Sequence, residues 1–366
     1  MAGMKSMKQK VTIQQIADLT GVSKFAVSRA LSGKSGVSPA TRERIVQAAG
    51  QLGYYHVAAS EYPTGTAPAA VLPKEQGGGD NKGAIVAMFP NIRYQNHDSV
   101  YWGPIFDGIS ARLNQRRVDI LSLTEPSSDH VFSLLNPEAI QGIITLGSVS
   151  SKILMDIKRL SIPLVMVDHV DLALQADTIF TDNITCMRQM ILKLVSRGYR
   201  KYQFVGNIRD AHSFYERWLG FSSVLNDYDI PHEQNRQLLT LDLESIYKDF
   251  PAAIAGWELP EVFVCVNDTT AMYVMETLAK SGIEVPRQVN VTGFDNSNPE
   301  LPILGTVDID EEAMGMRAVD KLLWRIANPA AYYEKTLIQA KVIVREMPGS
   351  SRDSQPPKLA PTVEVP

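Results

Sequence analysis

Residues 21–33 read GVSKFAVSRALSG, and this stretch decides how the first sixty residues fold. Gly21 can take the positive φ that a tight turn between two helices requires. Ser23 stands where it caps a new helix, and Val27, Ala30 and Leu31 form that helix's apolar side. Upstream, Thr12 and Gln15 form a T-x-x-Q capping box for a helix over about Ile13–Thr20. Downstream, Ser38 followed by Pro39 opens a third helix that Gly53 ends, with Ile45, Ala48, Ala49 and Leu52 on one stripe. Three short helices meeting at small residues make a helix-turn-helix unit.

In that unit the second helix enters the DNA major groove, led by its N-terminal residues. Lys24 and Arg29 can donate to guanine, and Phe25 can pack on a thymine methyl. Ser23, Ser28 and Ser38 carry hydroxyls that can bond phosphates without reading sequence. The predicted DNA-contacting set is Thr12, Ser23, Lys24, Phe25, Ser28, Arg29 and Ser38. The bland alternative is that the charged residues are only solvated and Phe25 covers a small core.

Charge supports a DNA-binding head. The chain of 366 residues has a net charge of −4. Residues 1–62 hold eight Lys and Arg against three acids, a net +5, which leaves −9 for the remainder. A basic head on an acidic body fits a head that meets phosphates while the body stays off them.

Three composition breaks follow. Residues 63–82 are rich in Pro, Gly and Ala and read as a flexible linker. Residues 83–348 alternate short β-branched runs with amphipathic stretches. The runs are AIVAMF (84–89), DILSL (119–123), GIITL (142–146), PLVMV (163–167), QFVG (203–206), VFVCV (262–266) and VNVTG (289–293). Helical stripes lie between them at Trp102–Leu113, Met187–Val195 and Val319–Ile326. Repeated β–α units predict doubly wound α/β architecture, with ligands beyond the carboxyl ends of the strands. Residues 349–366 have the composition of a disordered tail.

Several function classes are disfavoured. No apolar run reaches about 18 residues, so no membrane span is predicted. The N-terminus has no continuous apolar core of a secretory signal, so a cytoplasmic protein is expected. Cys186 and Cys265 lie in apolar segments and read as core residues. The six histidines show no metal-ligand spacing, His169 beside Asp168 included, so no metal is expected. No cofactor is expected. There is no G-x-S-x-G, P-loop, H-E-x-x-H or helix-opening G-x-G-x-x-G, so an enzyme is not expected.

The run V-T-I-Q-Q-I-A-D-L-T-G-V-S-K-F-A-V-S-R-A-L-S-G, continued by G-V-S-P-A-T-R-E-R-I and A-A-x-x-L-G-Y, resembles the headpiece of the lactose/galactose repressor (LacI/GalR) family. The resemblance places Lys24 and Phe25 at the main base-reading positions and Arg29 at a third. Ala26 departs from the family's usual Thr. The hinge departs further. In LGYYHVAASEYPTG (52–65), His56, Val57 and Pro63 stand where Pro, Asn and a minor-groove wedge Leu are usual. Pro63 cannot continue a helix, so no standard hinge helix is expected.

The body, 83–347, also resembles this family through I-Q-G-I-I-T-L-G-S, I-P-L-V-M-V-D, S-F-Y-E-R-W-L-G-F, V-C-V-N-D-T-T and V-T-G-F-D-N. The resemblance implies a type I periplasmic-binding-protein fold of two α/β lobes behind the all-α helix-turn-helix headpiece. Carried over, Arg217 would clamp a ligand hydroxyl or carboxylate. Ser148, Asp168, Ser213, Asn267, Asp268 and Asp295 complete the implied effector set. Phe89, Tyr94, Tyr101 and Trp102 are candidate stacking faces, in or beside a polar 90–101 loop expected at the cleft. Carboxylates at strand ends can instead be caps, and Asp182 and Asn183 are read as caps of the Met187 helix.

The expected function is a sequence-specific transcription regulator gated by a small molecule, with a sugar the expected effector. A homodimer on a pseudo-palindromic double-stranded operator is expected, because one small head reads too few base pairs. The alternative is a solute-binding protein or sugar-binding module without a regulatory role; the headpiece and the missing signal argue against it.

Overall fold

The computed structural model describes residues 13–31, 83–90, 99–124, 137–231 and 233–347, together with 38, 41, 44, 45 and 48. Thr12, the side chains of Phe25, Ser28 and Arg29, the 52–65 hinge stretch, the linker, Tyr94 with most of its loop, and the tail lie outside the described residues.

In the head, α1 spans Ile13–Thr20 and α2 spans Lys24–Leu31. Gly21 turns between them at φ +68°. Ser23 caps α2, its Oγ accepting from the Ala26 N–H at 3.1 Å. Ser38 likewise accepts from the Thr41 N–H at 3.2 Å. Ile16, Ala17, Val27, Ala30, Ile45 and Ala48 close a small core. Lys24 is exposed, as a groove-reading residue must be.

The body consists of two lobes. The first holds a six-stranded parallel sheet built from β1 (Ala84–Phe89), β2 (Ile120–Thr124), β3 (Ile140–Leu146), β4 (Leu164–Val167), β5 (Asp177–Thr181) and β10 (Lys335–Ile338). Its order is β10-β5-β4-β3-β1-β2, so the winding reverses beside β1, as in doubly wound folds. Helices α3 (Trp102–Arg116), α4 (Ser151–Arg159) and α9 (Glu311–Ala327) flank it. The second lobe holds β6 (Tyr202–Val205), β7 (Val262–Cys265), β8 (Asn290–Thr292) and β9 (Gly305–Asp308) in parallel, with β11 (Lys341–Val344) antiparallel on β9. Its helices are α5 (Asn183–Ser196), α6 (His212–Asp227), α7 (Ile246–Ile254) and α8 (Asp268–Lys280). The chain passes between lobes after β5, after β9 and between β10 and β11.

Four strands fall outside the apolar runs: β5, β9, β10 and β11. β5 (DTIFT) and β9 (GTVD) bury polar residues, Asp177 and Thr306 among them at 0% exposure. Arg325 on α9 makes this tolerable at β5, donating to both Asp177 oxygens at 2.6 and 3.1 Å. β10 is an edge strand with alternating exposure, so it has no continuous apolar signal. Cys186 and Cys265 are free and buried, as expected of core residues.

Helices α3 and α9 cross at glycines. A Cβ on Gly315 would sit 2.0 Å from the Ile105 carbonyl oxygen, and one on Gly108 would sit 2.1 Å from that of Glu312. The neighbours are backbone and cannot swing aside. Gly315→Ala is therefore expected to destabilise the body by about 1–3 kcal/mol, read as a lower urea midpoint with unchanged m-value.

Candidate functional site

The carboxyl ends of the two sheets face one cleft, and the charged residues at those ends converge. Asp168 ends β4 in the first lobe; Asp295 lies two residues beyond Gly293 at the end of β8 in the second. Ser213 and Arg217 sit on α6, four residues apart and so on one face. The Ser213 hydroxyl donates to Asp168 at 3.3 Å, across the cleft.

Arg217 is the centre. It is 2% exposed and its Nη2 lies 2.8 Å from Asp295 Oδ1. Its Nε donates to Asn183 Oδ1 at 3.0 Å and its Nη1 to the Val266 carbonyl at 2.7 Å. The guanidinium lies 3.8 Å over the Phe294 ring, with Phe214 at 5.6 Å. The fork is thus held from several directions by the protein itself.

Backbone strain marks the two carboxylates. Asp168 has φ +52° and Asp295 φ +95°, left-handed values rare for a side chain-bearing residue. Such strain persists where surrounding structure over-determines it, as at binding sites. Burial pushes Asp168 up to about 7, against the pull of Arg217 and with Asp295 adding to the rise. Burial also raises Asp295, despite Arg217. Glu311, the first residue of α9, is pushed up to about 7 by burial, with Asp295, Asp308 and Asp310 adding. The Tyr101 hydroxyl is buried without a hydrogen-bond partner, and burial, Asp168 and Asp295 raise its pKa.

Other expected residues have different placements. Ser148 follows β3 at the same edge, half-buried. Asn267 caps α8, its side chain accepting from the Thr270 N–H at 2.9 Å. Asp268 turns into the second sheet, where Thr306 donates to it at 2.8 Å. Its carboxylate is not brought to Arg217, although burial again raises it to about 7. Phe89 is 3% exposed and packs on Phe106 inside the core, so it offers no stacking face. Trp102 is 7% exposed and meets Tyr101 edge-on at 4.8 Å. Among the described residues no group of His, Cys, Asp and Glu has the arrangement of a metal site.

Several site residues escaped the sequence reading, Asn183, Glu216, Phe294, Glu311 and Lys335 among them. Asp182 caps α5 as expected, accepting from the Thr185 N–H at 3.1 Å. Asn183 does not cap; it is buried, and bridges Arg217 to Glu216 by donating to the latter at 2.9 Å. Phe294 lay unnoticed within the quoted G-F-D-N motif, though its place before Asp295 put it at the strand end. Beside them, Lys335 of β10 donates to Glu216 of α6 at 2.6 Å, tying one lobe to the other. Burial raises Glu216, but bonds from His212, Lys335 and Asn183 outweigh it and hold the carboxyl at about 2.

These values predict how stability responds to pH. Asp168, Asp268 and Glu311 bind protons more tightly when folded, at about 7, than when unfolded, at about 4. Between those values the folded state holds more protons, so its stability falls as pH rises through the window. Glu216 acts in the opposite direction, losing its contribution only as pH falls from about 4 towards 2. The ligand-free protein is expected to melt higher near about pH 5.5 than near about pH 8. Glu311→Gln should flatten that slope in thermal scans.

A helix-turn-helix head joined to two α/β lobes around a polar cleft defines a DNA-binding transcription regulator. Residues 12–56 match the family described as "Bacterial regulatory proteins, lacI family", and residues 191–346 match the "Periplasmic binding protein-like domain". The transcriptional regulator GalR of Lacticaseibacillus casei is 26% identical over 348 residues, 91% of this chain and 98% of its own. The CelR–cellobiose complex superposes with a TM-score of 0.63 at 21% identity, over 92% of this chain and 99% of that one. The lac repressor dimer bound to operator and the anti-inducer ONPF gives 0.60 at 19% identity, over 92% and 98%. The chain thus joins a LacI-family head to a periplasmic-binding-protein-like domain, and its function is DNA-binding transcriptional regulation of the LacI type. No helix among the described residues is long and apolar enough to cross a membrane.

Proposed function

We propose that this protein is a homodimeric repressor whose grip on a two-fold symmetric operator is set by a sugar bound between the lobes of its body. One observation carries the reading. Ser213 of the second lobe donates to Asp168 of the first across the cleft, one helical turn from the Arg217–Asp295 pair, so a ligand seated there touches both lobes. Such a ligand favours one relative placement of the lobes and so shifts a two-state equilibrium. In a dimer that placement sets the separation of the two heads, and head spacing must match the operator half-sites. The relative bound to cellobiose supports a sugar, and the relative solved as a dimer on operator supports the assembly. Tyr215 and Leu219, exposed one turn apart on α6 at 46% and 39%, offer an apolar strip for a subunit contact.

The lobes hold together through a second contact in this reading. Glu216, adjacent to Arg217, is fixed to Lys335 of the other lobe, so movement of α6 on ligand binding is felt at the lobe crossing. The division into a head over 1–62, a linker over 63–82, a sensor over 83–348 and a tail belongs to the same reading, as do a cytoplasmic location and the absence of catalysis.

The test is selection of random duplex DNA by the full-length protein without ligand. Enrichment of an inverted repeat is expected, and a sugar that binds the body should shift the affinity for it. Enrichment of a single unrepeated half-site would end the dimer reading. A sugar bound and turned over to product would end the regulator reading in favour of an enzyme.

A further inference from the structure

We propose that the first lobe carries a second ligand site, separate from the interlobe cleft, and that it takes a small apolar or aromatic monocarboxylate. The site is a half-open cavity of about 250 Å³ at the amino ends of β4 and β5. The strands of this sheet are parallel, so their amino ends lie opposite the cleft. The cavity sits between the end of α4 and the turn after α9, and the regulatory reading above makes no use of it.

The lining is apolar and already fixed in place. Ile157, Ile162, Leu164 and Leu174 are buried behind it, and the Tyr333 ring, 52% exposed, lines it beside Pro329. Arg325 holds that side. It directs all five of its N–H donors into the fold: two at the Asp177 oxygens and three at the carbonyls of Asn328, Ala331 and Tyr332. The same guanidinium covers one face of Tyr333 at 4.6 Å. Near α4 the chain turns through Ser161 at φ +54°, whose N–H donates to the Lys158 carbonyl at 3.0 Å. Walls held by the protein's own bonds need not be ordered by a ligand, which favours binding. A cavity of about 150 Å³ admits benzene, so this one has room for one or two rings or a short alkyl chain.

The charge around the cavity selects the ligand's polar end. The Lys158 ammonium, the Ser161 hydroxyl, the Gln175 amide and the Tyr333 hydroxyl line it, and none of them has a hydrogen-bond or ion-pair partner among the described residues. All four can donate, and no lining side chain is acidic. The acids that neighbour the lining in sequence are each engaged. Asp156 pairs with Arg159, Asp177 with Arg325 and Glu334 with Lys321, while Asp171 accepts from Ser151 and the Ala173 N–H. Lys158 is left as the lining cation without a counter-ion. A carboxylate there would gain a charge-assisted bond from it, with hydroxyl and amide donors at hand. An ammonium ligand would find no counter-charge. A phosphate dianion would find one ammonium and no guanidinium fork, because Arg325 has no donor left.

The test is calorimetry and ligand-observed NMR on the full-length protein with phenylpropionate, indole acetate and hexanoate, each beside its neutral amide. At least one carboxylate is expected to bind with a Kd of about 1 mM or tighter, and about fivefold more tightly than its amide. Lys158→Met keeps the stem and removes the charge. It should bring that carboxylate to the affinity of its amide and leave the amide unchanged, a split that general damage to the fold would not produce. Tyr333→Ala should weaken acid and amide together, and Arg217→Lys should change neither. Carboxylate binding that is lost in Arg217→Lys and kept in Lys158→Met would place the ligand in the interlobe cleft and overturn the proposal. Equal binding of acid and amide to wild type would overturn it as well, as would no binding of any of the three acids. None of these outcomes bears on the sugar reading of the cleft, which is tested separately.

Discussion

Arg217→Ala is expected to lower the unfolding free energy of the body by about 3–5 kcal/mol. The reason is what the substitution leaves behind. Asp295 is 7% exposed and Arg217 is its ion-pair partner at 2.8 Å. Removing the guanidinium strands a buried carboxylate and leaves the Val266 carbonyl and the Asn183 side chain without the donors they now accept from. Part of the loss is recovered if Asp295 takes up a proton, so the defect should be smaller at low pH. Urea unfolding at two pH values measures it. A stability within about 0.5 kcal/mol of wild type would show that the pair contributes no more than an exposed ion pair. Arg217→Lys keeps the charge but not the planar fork, so it should fold better and still lose effector response. The lysine variant is therefore the cleaner probe of function; the alanine variant mixes ligand loss with unfolding.

The second large effect is expected at the other end of the chain. Lys24→Ala and Arg29→Ala should each relax base preference at one position per half-site, with about 1–3 kcal/mol of discrimination lost per contact. Lys24 opens α2 and is exposed, so its removal leaves the Ile16, Val27 and Ile45 core untouched. Competition binding at fixed salt, against operators varied one base pair at a time, separates this from loss of a phosphate contact. A phosphate contact weakens all sequences alike and lowers the salt slope by about one. Uniform weakening would remove that residue from the base-reading set.

Much of this was legible in one dimension. The head's capping serines, its turn glycine and its apolar spacings are local signals, since each acts on neighbours within four residues. α1 accordingly begins and ends where the T-x-x-Q box and Gly21 place it. β1, α3 and the strand ends carrying Asp168 and Asp295 were equally readable, because a buried parallel strand is a continuous apolar run and its end is where that run stops. The family resemblance then pointed to Arg217, on which Asn183, Val266 and Asp295 converge.

The tertiary structure decided what those residues do. Asn183 and Asp268 have the same sequence environment as helix-opening caps, yet one bridges Arg217 to Glu216 and the other bonds Thr306 inside the sheet. β5 and β9 hide polar side chains whose partners, Arg325 and Asp268, lie far along the chain. The degree to which Arg217 is already satisfied depends on four segments meeting at one point. Sequence alone determined the architecture and placed Asp168, Arg217 and Asp295 at the cleft. The tertiary structure decided which of those charges are paired, because pairing and desolvation are properties of distance in space, and no spacing along the chain encodes them.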